Sequence, residues 1–184
     1  MALTDAVAVI QRTEPTIEEI AEIAAAIART ITVTSDRWPR RPAEHPTDRT
    51  GVRVLTTEQY DVWLLRWLTG TGVTPHDHGE SMGAFCVVRG SLLEVRWEHG
   101  GRTARTIDPT QTLTIGRGIV HDVIGAADGS LSVHVYSPPL SRMNFYDADA
   151  TVVVGSEQVD TDAMVEPSFD RAGGPVDAAG ASHR

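Results

Sequence analysis

The sequence predicts a mainly β protein, a barrel or sandwich of short strands entered through N-terminal helices. Three observations predict it. From about residue 52 onward, short runs rich in β-branched and aromatic residues follow one another. Gly, Asp and Pro punctuate those runs at turn positions, as at Gly90, Gly100-Gly101 and Asp128-Gly129. Helical spacing, by contrast, belongs to the start of the chain. The chain has 184 residues, a length that favours one domain around one core. A net charge of -9 argues against a nucleic-acid or anionic-membrane surface. No apolar run approaches a bilayer span, and no basic-then-apolar leader opens the chain, so neither membrane insertion nor a secretory signal is expected. A single cysteine, Cys86, excludes an internal disulfide framework and fits a reducing cytoplasm.

In order along the chain, residues 16–30 read as a helix. Thr16 is its N-cap, Glu19 completes a capping box three residues on, and Ile20, Ile23 and Ile27 recur at helical spacing. A short amphipathic segment at residues 4–12 is a second helix candidate. Residues 35–50, with three prolines and many charges, read as an irregular link. Strands are then expected at 60–68, 84–89, 91–98, 102–107, 111–115 and 131–136, with a last one at 151–154. The organisation expected is a helical segment and linker over 1–50, the β unit over 51–155 and a tail over 156–184. The tail is rich in Ala, Gly, Asp and Ser and poor in large apolar residues, so much of it is expected to be mobile.

The most informative stretch is His76-Asp77-His78. Side chains at i and i+2 share one face of a strand, so the two imidazoles can meet one transition metal, while Asp77 points the other way, toward a contact behind the ligands or a structural one. Gly70, Gly83 and Gly90 frame the pair at fixed spacings. The frame resembles the first motif of the cupin superfamily, G-x5-H-x-H-x4-E-x6-G, with Gly83 standing where the motif has glutamate. The segment 116–125, with Gly118 three residues before His121, resembles the second motif and makes His121 the third ligand. The resemblance implies a cupin (jelly-roll-like) β-barrel with N-terminal helices. Glu80, two residues beyond His78, is a rival fourth ligand expected to lie in a loop instead. Without the motif's glutamate, three neutral imidazoles would leave the full charge on a divalent metal, which favours an anionic ligand such as a thiolate.

Residues 132–139, SVHVYSPP, place Ser132, His134 and Tyr136 on one strand face. Together with PHDHGES and IVHDV they resemble the thiol dioxygenase family of cupins, typified by cysteine dioxygenase, over roughly residues 49–147; Trp67 matches a recurring family tryptophan. The resemblance implies an Fe(II) site held by His76, His78 and His121. Tyr136 would face the substrate side, with His134 and Ser132 in series behind it. A small carboxylate-bearing thiol, L-cysteine first, and O2 would be the substrates, and a sulfinate the product. The Ser137–Pro138 bond matches one that is often cis in the family, and members are often monomers, so a monomer or weak homo-oligomer is expected. Gly83 also stands where mammalian members carry the cysteine that cross-links to the tyrosine, so no cross-link is expected; Cys86, at an odd offset from Gly83, reads as a core cysteine.

A family arginine that pairs with the substrate carboxylate matches Arg53, with Arg49 as a rival and Gly51 where a tyrosine often stands. Members acting on 3-mercaptopropionate tend to carry glutamine at that arginine position, so this thiol or another small thiol is the alternative substrate. Glu80 and Met82 differ from the pattern. Met143, Phe145 and Tyr146 are expected to pack near the barrel, Met143 within reach of the pocket rim. His45, His99 and His183 have no assigned role. Two other classes stay open: a metal-binding cupin that senses or stores a ligand without turnover, and a Mn(II), Ni(II) or Zn(II) isomerase or hydrolase.

Overall fold

Thr16 and Glu19 set where the helix begins. The Thr16 backbone N–H donates to Glu19 Oε2 at 2.7 Å, and the Glu19 N–H donates to Thr16 Oγ1 at 3.2 Å, the reciprocal capping box the sequence predicts. In the computed structural model, which describes residues 14–34, 50–98 and 100–159, helix α1 runs Ile17–Thr34, a turn longer than expected. Its buried stripe is Ile20, Ala24 and Ala28, with Ile23 and Ile27 only flanking it. The alanines let the backbone approach the sheet closely, and the isoleucines fill the margins. The expected segment at 4–12, the link before residue 50 and the tail beyond 159 lie outside the described residues, as do Arg49, His45, His99 and His183.

Among the described residues eleven strands follow: β1 Thr50–Thr56, β2 Asp61–Trp67, β3 Gly72–Asp77, β4 Met82–Arg89, β5 Leu92–Glu98, β6 Gly101–Ile107, β7 Thr112–Ile115, β8 Val120–Gly125, β9 Ser130–Ser137, β10 Arg142–Tyr146 and β11 Val153–Gln158. They form two antiparallel sheets, one of five strands in the order β1-β2-β9-β4-β7 and one of six in the order β11-β10-β3-β8-β5-β6. Among the described residues the sheets are not joined by hydrogen bonds into a closed barrel, which corrects that part of the expectation. Large inward side chains from both sheets, including Trp63, Trp67, Phe85, Met143 and Phe145, pack into one core that holds the sheets face to face. Met143 is a core residue, fully buried.

The five-stranded sheet is buried on both sides along β2, β9 and β4, which explains the continuous apolar runs of those strands. Its outer face, with Val62, Leu64, Cys86, Val133 and Val135, packs against α1. Cys86 lies on this side, away from the face that carries Gly83, as the odd offset predicts. Two of the framing glycines close turns: Gly70 and Gly90 have φ of 76° and 73°, a left-handed conformation that favours glycine. A Cβ at Gly90 would also collide with Ser130. The last strand extends to Gln158, past residue 154 where it was expected to end, and Val159 after it is buried. Among the described residues no helix is long and apolar enough to cross a membrane.

Candidate metal centre

Strand pairing gathers the three histidines. His76 lies in β3 and pairs directly with His121 of β8, while His78 follows one residue past the end of β3. The i, i+2 spacing keeps the His76 and His78 imidazoles on the inner face. Ring centroids are 4.6 Å apart for His76 and His121 and 5.1 Å apart for each pair involving His78. One nitrogen from each ring lies within 4.8 Å of the others, and all three residues are buried. Glu80 is exposed in the turn after His78 and is not part of the cluster.

The donor set fits a transition metal. His76 Nδ1 lies 2.9 Å from the Thr74 carbonyl, and His121 Nδ1 lies 3.1 Å from Glu94 Oε1. Each acceptor calls for a proton on Nδ1, which leaves the Nε2 lone pair for a ligand. His121 Nε2 is itself buried and makes no hydrogen bond to the protein. An apolar wall would be the cheaper neighbour for such an atom, so its place among two other imidazoles is best explained by a cation.

Glu94 was not anticipated from the sequence. It is 1% exposed and takes two arginines besides His121: Arg96 Nη2 donates to Oε1 at 2.8 Å, and Arg105 Nε donates to Oε2 at 2.9 Å. Burial pushes its carboxyl up, but the hydrogen bonds from His121 and Arg96 and the Arg96 charge outweigh burial and lower it. The missing motif glutamate thus has a counterpart one step removed. A carboxylate stands behind His121, where it polarises the ring instead of binding a metal directly. The legible signal was the alternating row Glu94, Arg96 and Glu98, charged residues in the inward register of Leu92.

Tyr136, His134 and Ser132 line the facing sheet. The Tyr136 ring centroid is 4.7 Å from that of His78. Behind it, Tyr136 Oη lies 3.4 Å from His134 Nδ1, and His134 Nε2 lies 2.9 Å from Ser132 Oγ. Trp67 Nε1 donates to Ser132 Oγ at 2.9 Å, so the tryptophan that stood only as a sequence match ends the series. Phe85 stacks on His134 at 4.9 Å and fixes its plane. Gly83 pairs in register with Tyr136, and a Cβ there would lie 3.3 Å from the tyrosine ring and 3.6 Å from His78 Nδ1. The glycine leaves room between the two rings. The Ser137–Pro138 bond is cis.

Asp77 does point away, to a structural contact. It accepts from the Gly79 N–H and from Asn144 Nδ2, both at 2.8 Å, and from Tyr146 Oη at 2.6 Å. These bonds tie the histidine strand to β10 and to the turn after His78. Arg53 is buried on the inner face of β1, with its guanidinium 4.5 Å from the Trp63 ring and Nε 3.3 Å from Asp61 Oδ2.

The sequence matches the family described as Cysteine dioxygenase type I over residues 3–149. The chain belongs to the cysteine dioxygenase type I family. The family points to a dioxygenase-type oxidoreductase with a small-molecule thiol and O2 as reactants, and the three histidines could hold its metal. Among solved structures, recombinant oxalate oxidase in complex with glycolate is similar at a TM-score of 0.50 and 16% identity, covering 57% of this chain and 58% of that one. KdgF from Halomonas sp. is similar at 0.46 and 20%, covering 56% and 90%. A protein with a double-stranded β-helix domain from Klebsiella pneumoniae is similar at 0.46 and 15%, covering 64% and 83%. At such identities the likeness concerns the fold alone. The chain spans little more than half the length of the oxalate oxidase it matches.

Proposed function

We propose that the protein is a non-haem Fe(II) thiol dioxygenase that converts a small thiol, L-cysteine first, to its sulfinate. The observation that carries this reading is the abutment of two systems: three buried histidines on one sheet, and the Tyr136–His134–Ser132–Trp67 series facing them from the other. A cupin that only bound a ligand would have no need of the second.

His76, His78 and His121 would hold the iron. When bound, Fe(II) supplies a Lewis-acidic, redox-active centre with open positions for a thiolate and dioxygen. Both oxygen atoms go to sulfur: two S–O bonds form, the O–O bond breaks, sulfur is oxidised and dioxygen is reduced. The chain's own residues position and shield this chemistry. Tyr136 offers its hydroxyl to the reacting oxygen atoms, and His134 and Ser132 hold that hydroxyl in place. Phe145, whose ring is 6.3 Å from that of His76, and Phe85 keep the neighbourhood apolar. Arg53, on the same inner face as Tyr136, is the candidate partner of a substrate carboxylate. The test is anaerobic iron loading followed by oxygen uptake with L-cysteine, 3-mercaptopropionate and other small thiols. The expected result is uptake matched by sulfinate; fully loaded protein that consumes no oxygen with any thiol refutes the reading.

A further inference from the structure

Two rows of side chains cross the inner face of the five-stranded sheet. Register places Arg53 beside Trp63 and Trp63 beside His134; the next row sets Asp61 beside Tyr136 and Tyr136 beside Gly83. Asp61 is therefore the cross-strand neighbour of the tyrosine and the diagonal neighbour of Arg53, within reach of its long side chain. The Asp61 carboxylate is fully buried, 3.3 Å from Arg53 Nε, and its Oδ2 also accepts the Leu140 N–H at 3.3 Å. A carboxylate buried that deeply stays ionised only beside a compensating charge, and Arg53 supplies one in contact with it. The guanidinium in turn bonds the Leu140 carbonyl at a long 3.5 Å and lies over Trp63. A second carboxylate arriving at Arg53 would meet attraction from the guanidinium and repulsion from Asp61 together.

We propose that Asp61 is a specificity-determining residue: by compensating Arg53 from within the fold, it weakens the demand for a substrate carboxylate, so the site takes small thiols both with and without one. This rests on the thiol-binding reading of the site and narrows it. L-cysteine remains a ligand, but its margin over 2-aminoethanethiol, which lacks only the carboxylate, is small. An acid at the head of the inward row Asp61, Trp63, Leu65, Trp67 is the sequence feature that marks this arrangement.

The test measures binding rather than turnover. Protein loaded with Co(II) is titrated without oxygen with L-cysteine, 3-mercaptopropionate and 2-aminoethanethiol, and the thiolate-to-cobalt absorption gives each Kd. Wild type is expected to bind L-cysteine and 2-aminoethanethiol within about tenfold of each other. Asp61→Asn is expected to tighten both carboxylate thiols by about tenfold and to leave 2-aminoethanethiol within about threefold. Arg53→Gln/Asp61→Asn, which removes both charges, is expected to return the ratio to that of wild type. A wild-type preference for the carboxylate above about a hundredfold overturns the proposal, and so does an Asp61→Asn protein that binds L-cysteine no more tightly. Should the single variant fail to fold, the wild-type ratio and the double variant still decide. Thiol binding to the cobalt protein without oxygen consumption by the iron protein would remove the dioxygenase reading alone, leaving the Kd ratios to judge Asp61.

Discussion

Replacing Glu94 tests whether the histidine triad is a metal site tuned from behind. Its two oxygens have separate duties: Oε1 serves His121 at 3.1 Å and Arg96 at 2.8 Å, and Oε2 serves Arg105. In Glu94→Gln the new amide N–H2 settles best at the Oε2 position, because Arg105, with its side chain 51% exposed, can swing into water. Oxygen then stays on His121, the Nδ1–H tautomer survives and only the negative charge is lost. Metal affinity should fall by about tenfold, or about 1.4 kcal/mol. Glu94→Leu removes the acceptor as well, frees the His121 tautomer and should cost about a hundredfold, or about 2.7 kcal/mol. The assay is competition for Co(II) or anaerobic Fe(II) against a chromogenic chelator, with thermal unfolding of the metal-free proteins as a check on folding. Affinities within about threefold of wild type for both variants, alongside complete loss in His121→Ala, would refute the argument that Glu94 acts on the metal through His121.

Three other outcomes are expected. Tyr136→Phe should keep its metal content yet lose thiol-dependent oxygen uptake by about a hundredfold, since the variant keeps the ring beside His78 and removes only the hydroxyl to which the proposed role belongs; equal turnover would remove Tyr136 from the chemistry. Gly83→Cys should put sulfur against the Tyr136 ring, 3.3 Å from its Cβ, and iron-loaded protein turning over thiol in air should lose two hydrogens by intact mass as the thioether forms. The Tyr146 hydroxyl is pushed up from 10.0 to about 12 by burial and by its bond to Asp77. A raised folded value means its stabilisation is complete below pH 10 and lost as pH rises through about 12; ultraviolet titration should show a late tyrosinate that Tyr146→Phe lacks.

The site was legible to the extent that its residues are close in sequence or share a strand face. His76 and His78, and Ser132, His134 and Tyr136, are related by a period of two, which strand geometry turns into a common direction. The capping box at Thr16 and Glu19 was legible for the same reason, as a contact across three residues of one helix turn. Closure into a barrel was not legible, because it depends on whether edge strands distant in sequence meet, which local periodicity does not contain.

Sequence alone therefore determined the fold class, through local periodicity, and the family, through motifs that resemble known ones; period two also set which histidines and which members of the tyrosine series share a strand face. Only the tertiary structure decided the charges around them. Glu94 reaches His121 across the β5–β8 ladder, and Asp61 reaches Arg53 across the β1–β2 ladder. Electrostatic partnership depends on distance and burial, which a strand pattern does not contain. Gly83 leaves the space that the motif's glutamate would fill, and the fold returns a carboxylate behind one histidine and another beside the arginine.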